Sequence, residues 1–180
     1  HHMAFSGTIT LKPSTLVLMI KEWVMSLAHH GFERFFFVNG HGGNVATIGA
    51  AFSEIYGERS FAKDGDNHPA LRCRQLNWWE SPAAKAIVKE LYGANEGMHA
   101  ACSEVAVTQY AFPEHIKKVE MDPPLGPKPS RFSDAQDFRR RFPDGRIGSN
   151  PSLATPEAGR RLVEAAAGDI ADAYEKFLES

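Results

Sequence analysis

The run Arg34-Phe35-Phe36-Phe37-Val38 limits the fold more than any other stretch of the chain. It is too short for a helix, and its apolar residues do not alternate with polar ones. Such runs belong to strands covered on both faces, as in parallel sheets. The run ends in Asn39-Gly40-His41-Gly42-Gly43-Asn44, and a helical pattern follows from Val45 to Tyr56. A strand, a glycine-rich turn and a helix make the first half of a βαβ unit.

The flanking sequence extends this pattern. Pro13 to His30 reads as a helix with Leu16, Ile20, Trp23, Val24 and Leu27 on one face, and Gly31 stands where a C-cap wants it. Leu71 to Trp78 alternates as a second strand, and Ser81-Pro82 opens a helix reaching about Leu91. Gly93 to Gly97 is a loop, and Ala100 to Tyr110 is helical. Prolines 123, 124, 127, 129, 143 and 151 predict an irregular excursion from Met121 to Pro151. Thr155 and Pro156 then open a final helix whose stripe is Leu162, Ala166, Ile170, Tyr174 and Phe177. The sum is an α/β fold: a three-layer αβα sandwich with a mainly parallel central sheet, one domain over residues 1–180.

Composition narrows the function. A formal charge of −2 advertises neither nucleic-acid nor acidic-membrane binding, and Arg139-Arg140-Arg141 among Asp134, Asp137 and Asp144 reads as a solvated mixed-charge surface. Cys73 and Cys102 have no zinc-ribbon or disulfide-framework spacing, which points to a reducing cytoplasm. No apolar run approaches the roughly 20 residues of a membrane span, and the start has no signal-peptide pattern.

Two places concentrate chemistry. The Asn39–Asn44 turn lies at the C-terminal end of a buried strand, where ligands bind in open α/β sheets. Its small residues let a backbone approach a ligand closely and hold His41 at the rim. On residue types alone His41 is a turn residue or a ligand, and the turn a phosphate cradle or an oxyanion loop. Yet it lacks the Lys-Ser/Thr of a P-loop, and no GxSxG elbow occurs. The second place is Gly97 to Glu104. His99 stands at the edge of a helix, and Glu104 falls within an apolar stretch, where a carboxylate needs a metal or a salt-bridge partner. Both can lean toward one pocket only if His99 precedes the helix proper. Cys102 reads as a small core residue.

NGHGGN after an apolar strand, followed by His99-Ala-x-x-x-Glu104, resembles the creatininase family. Phe5-Ser-Gly-Thr-Ile-Thr-Leu11 is similar to that family's FPGT segment, and Gly148 to Thr155 to the segment before its last helix. The resemblance implies an αβα hydrolase that uses two divalent metals (zinc, manganese or iron) to cleave non-peptide C–N bonds in small amides. It implies His41 and Glu104 as metal ligands, His99 as proton donor or orienting histidine, and a homo-oligomer, commonly a hexamer. Asn44, Gly42 and Gly43 would shape the substrate site, with Trp78, Trp79 and His2 lining it. Asn95 stands four residues before His99, where creatininase carries a tryptophan nearby, so a substrate other than creatinine is expected. The family's N-terminal metal-ligand segment is absent from these residues, so truncation is expected, with His1 and His2 as native residues near the pocket. A non-catalytic binding relative and a peptide-trimming hydrolase are the alternatives.

Overall fold

Two strands, β1 (Arg34–Asn39) and β2 (Arg72–Asn77), pair in parallel with Arg34 opposite Arg72 and Asn39 opposite Asn77. The computed structural model describes residues 1–62 and 70–180. Its helices are α1 (Pro13–His29), α2 (Val45–Phe61), α3 (Pro82–Leu91), α4 (Cys102–Ala111), α5 (Ala135–Arg141) and α6 (Pro156–Leu178). They divide into two units, one of Leu11–Glu80 with Ile170–Ser180 and the other of His1–Thr10 with Ser81–Asp169.

The strand unit has three layers. Because successive strand residues point to opposite faces, Phe35, Phe37 and Cys73 turn together toward α1 and α2. There they join Ile20, Val24, Ile48, Ala51 and Ile55 in one apolar cluster. Full burial of one such branched side chain stabilises by roughly 1.5–3 kcal/mol. Phe36 points the other way and meets Tyr174 and Phe177 near the end of α6, with ring centroids 5.5 and 5.7 Å away. Arg34, on that same face, donates to the Ser180 carbonyl at 3.0 Å. Helices therefore cover both faces of a parallel strand pair, which is the αβα layering expected from the apolar run.

The stripe of α1 is narrower than its spacing suggested. Ile20 and Val24 are buried, whereas Trp23 and Leu27 are 57% and 44% exposed. One helix contact covers a limited arc, and Trp23 lies about 100° round the helix from Val24. Gly31 adopts φ +91° just past the helix end, as a C-cap glycine does.

In the other unit, Ser81 caps α3 by accepting from Ala84 N–H at 3.1 Å. Its hydroxyl and the Ala83 N–H (2.9 Å) both donate to the Asp169 carboxylate on α6. Thr155 caps α6 through Ala158 N–H at 3.1 Å. Gly159 permits close crossing with α4, because a Cβ there would lie 2.0 Å from the Ala106 carbonyl oxygen. The stretch from Met121 to Pro151 is less irregular than its prolines predict. Asp134 caps α5 by accepting from Asp137 N–H at 2.8 Å, and Asp137 binds Arg140 and Arg141, each at 3.0 Å. Phe138 of α5 and Phe142 just past its end pack with Ile147, Phe5 and Phe132. Arg146 is buried and uses its whole guanidinium: Nε on Asp144 (2.7 Å), Nη1 on the Pro124 carbonyl (2.8 Å) and Nη2 on the Pro123 carbonyl (2.9 Å).

Tyr92 is buried at the end of α3, and among the described residues its hydroxyl has no hydrogen-bond partner. Burial pushes its ionisation up to about 12, against an ordinary value near 10. The raised native value means this residue's stabilisation is present below pH 10 and is lost as pH rises from about 10 to about 12. Tyr92→Phe removes an unsatisfied hydroxyl, with an expected gain of about 1 kcal/mol at pH 7. It also flattens the loss between pH 10 and 12, as urea unfolding across that range will read.

Candidate functional site

At the C-terminal ends of β1 and β2 a row of amide side chains builds the glycine-rich turn. Asn39 Nδ2 donates to Asn77 Oδ1 at 2.8 Å and to the His41 carbonyl at 2.9 Å, and Asn39 Oδ1 accepts from His41 N–H at 3.1 Å. Asn44 Nδ2 reaches the same oxygen at 3.4 Å. On the neighbouring strand, Gln75 donates to Asn77 Oδ1 (2.8 Å), and Asn77 donates to Glu80 (2.9 Å). Asn39 and Asn77 are both buried, so each unmade bond would carry a desolvation cost of about 1–3 kcal/mol.

This row sets His41 on exposed backbone just outside the strand end, with Gly42–Asn44 coiling into the start of α2. Gly43 lies under the imidazole, where a Cβ would come within 2.6 Å of His41 Nε2. Trp78 and Trp79 follow β2 directly as a half-buried, mutually perpendicular pair with centroids 6.4 Å apart. The strand unit thus brings together His41, Gly42, Gly43, Asn44, Trp78 and Trp79 at one sheet edge. Asn39 and Asn77, which hold that edge, escaped the reading of the sequence. Their signal was an asparagine ending each strand segment.

In the second unit His99 precedes α4, which meets the condition for it and Glu104 to lean toward one pocket. A short antiparallel bridge fixes its backbone: Met98 N–H to Ile147 O at 2.8 Å, and Ile147 N–H to His99 O at 3.2 Å. Ser149 Oγ also donates to His99 O, at 2.8 Å. The ring's Nδ1 bonds the Gly145 carbonyl. A carbonyl only accepts, so Nδ1 carries the hydrogen and Nε2 is the basic nitrogen of the neutral ring. His2 lies against this ring with centroids 4.3 Å apart, and Phe138 stands edge-on at 5.7 Å. Gly145, Ile147 and Ser149 were beyond local sequence reasoning, since nothing nearby marks them as partners of a histidine some 50 residues away.

Ala100, between His99 and α4, has φ +49°, a left-handed conformation that delays the helix start from the expected Ala100 to Cys102. Glu104 accepts from Ala101 N–H at 3.2 Å through one carboxylate oxygen. Cys102 is fully buried and donates to the carbonyls of Asn95 and Asn150 at 3.1 and 3.0 Å, and burial raises its thiol to about 11. It is a core residue with little thiolate character. Burial also raises Glu96, against the opposing hydrogen bonds from Ser103.

Histidine and carboxylate donors suit zinc or manganese. Among the described residues, however, no three His, Cys, Asp or Glu side chains converge as a metal cage. The residues present do not by themselves form a metal centre. No helix among them is long and apolar enough to cross a membrane.

The family model described as Creatininase: Creatinine amidohydrolase matches residues 1–174, and the chain belongs to this family. A creatinine amidohydrolase of Pseudomonas putida is 25% identical over 178 residues, 94% of this chain. The chain spans 65% of that relative's length. Three solved creatininases share its fold: a manganese form, a mutant of Zn-Zn type and a mutant complexed with creatine. Each has a TM-score of 0.74 at 23–24% identity, covering 96% of this chain and 67–68% of its own.

Two substitutions test the local geometry. Gly43→Ala leaves stability within about 0.5 kcal/mol but turns the imidazole of His41, so its Cε1–H resonance moves; an unmoved resonance contradicts the close approach. Ala100→Gly relieves the left-handed alanine and raises unfolding stability by about 0.5–1 kcal/mol, read in denaturant.

Proposed function

We propose that this protein acts as a divalent-metal-dependent amidohydrolase that cleaves a non-peptide C–N bond in a small cyclic amide or formamide, with His99 as its proton-transfer residue. The observation that carries this reading is the His99 ring, oriented by the Gly145 carbonyl so that Nε2 faces its surroundings as a base. Nε2 can take a proton from an attacking water and return it to the departing nitrogen, a role worth typically 10²–10⁴-fold. The bridge to Ile147 and the Ser149 hydroxyl keep the ring's backbone from drifting during that transfer. Asn44, Gly42 and Gly43 offer a shaped edge for the substrate, and Trp78 and Trp79 offer apolar walls.

His41 and Glu104 are each proposed as one donor to metals that need further ligands besides these two. Zinc or manganese is favoured by the metals of the solved relatives. Asn95 supports a substrate other than creatinine. The rival reading, a binding protein that keeps the fold without metals, rests on the lack of three converging donors among the described residues.

Elemental analysis and amide turnover, on a protein of the full family length, separate the two. The expected result is about two divalent ions per chain. His99→Ala should then lower kcat by about 10²–10⁴-fold with metal content unchanged, whereas His41→Ala and Glu104→Ala should lose metal. A protein that binds no divalent ion and turns over no amide leaves only the binding reading.

A further inference from the structure

A cleft of about 740 Å³ opens between α4 and residues 116–122, within the unit that carries His99. Ala100, the residue after His99, and Val105 of α4 form one wall, and Ile116, Val119 and Met121 form the other. A second hollow of about 370 Å³ continues along α4, sharing Val105, Ile116, Val119 and Met121 with the first. Glu104 lines that continuation. The two hollows share these residues and form one groove, running from Ala100, which follows His99 in the chain, to the Glu104 carboxylate.

The far wall is a strap with anchored ends. On one side the turn Pro113–His115 follows α4 directly. On the other, Arg146 holds the carbonyls of Pro123 and Pro124, and Gly126 N–H bonds Ser149 O at 2.9 Å. Between the anchors the apolar side chains remain accessible, with Val119 60% and Ile116 38% exposed. Charged groups at the groove nearly cancel. Lys117, Lys118 and Arg146 stand against Glu104, Glu120, Asp122 and Asp144, and the Arg146–Asp144 pair is already satisfied. A charged ligand gains little there, while an apolar one covers Val105, Ile116, Val119 and Met121. The volume lies in the range of small-molecule sites.

We infer that this groove takes the apolar arm of an uncharged amide substrate, with Ile116, Val119 and Met121 of the strap as specificity-determining residues. The inference deepens the amidohydrolase reading and rests on it for the placement of the scissile bond.

The test is a calorimetric titration of the protein, at the length of its relatives, with N-methylformamide through N-hexylformamide, accompanied by kcat/KM for each in the presence of zinc or manganese. Affinity should climb by up to about fourfold per methylene until the groove is filled. Val119→Asp, at an exposed position, should flatten the series while leaving the melting temperature unchanged. Ile116→Ser should flatten it likewise, and serves if the first variant folds poorly. Affinity independent of arm length, or an equal slope in both variants, overturns the inference. A rising binding series without turnover of any member keeps the groove and removes the hydrolase reading. Turnover that ignores arm length does the reverse.

Discussion

The side-chain hydrogen bond between Asn39 and Asn77 ties the strand ends together, and the candidate site in the strand unit depends on it. Two parallel strands alone are a weak element, and the side chains that leave their ends would otherwise point wherever the loops drift. A buried amide pair removes that freedom, because each asparagine loses its partner if the strands slip by one residue. Asn39 also takes both the amide hydrogen and the carbonyl of His41. Strand register, turn conformation and the position of His41 are thus one coupled arrangement.

His99 is held by a different device. Its neighbours in sequence supply a strained residue and a helix start, while its restraints come from Gly145, Ile147 and Ser149. The ring cannot change tautomer without losing its bond from Nδ1 to the Gly145 carbonyl, while Ile147 and Ser149 of the same distant segment fix the backbone that carries it. Phe138 of α5, buried with Phe142 and Ile147, makes the floor against which the ring stands.

Much of this was legible in the sequence where the signal is local. The apolar run at Phe35–Val38 announced a covered parallel strand, and Pro82 and Pro156 marked helix starts within a residue. Periodicity overstated the buried face of α1, since Trp23 is apolar yet lies outside the arc that α1 covers. Proline content hid α5, because the residues that specify it (Asp134 as cap, Asp137 with its two arginines, Phe138 as anchor) lie between prolines 129 and 143. Of the site, His41 and His99 could be named from motif and resemblance. The groups that orient them were harder to read, because a carbonyl at Gly145 leaves no mark on residue type and the Asn39–Asn77 pair shows only as an asparagine ending each strand segment.

The grip of Arg146 has a wider meaning for how such a chain can vary. It holds the strap through the carbonyls of Pro123 and Pro124, and carbonyls are present whatever side chains the strap carries. Residues 116 to 121 can then be exchanged without loosening the anchor. The groove behaves as a mould with a fixed frame and a replaceable lining, so relatives can diverge in what they accept while keeping the histidine beside it unmoved.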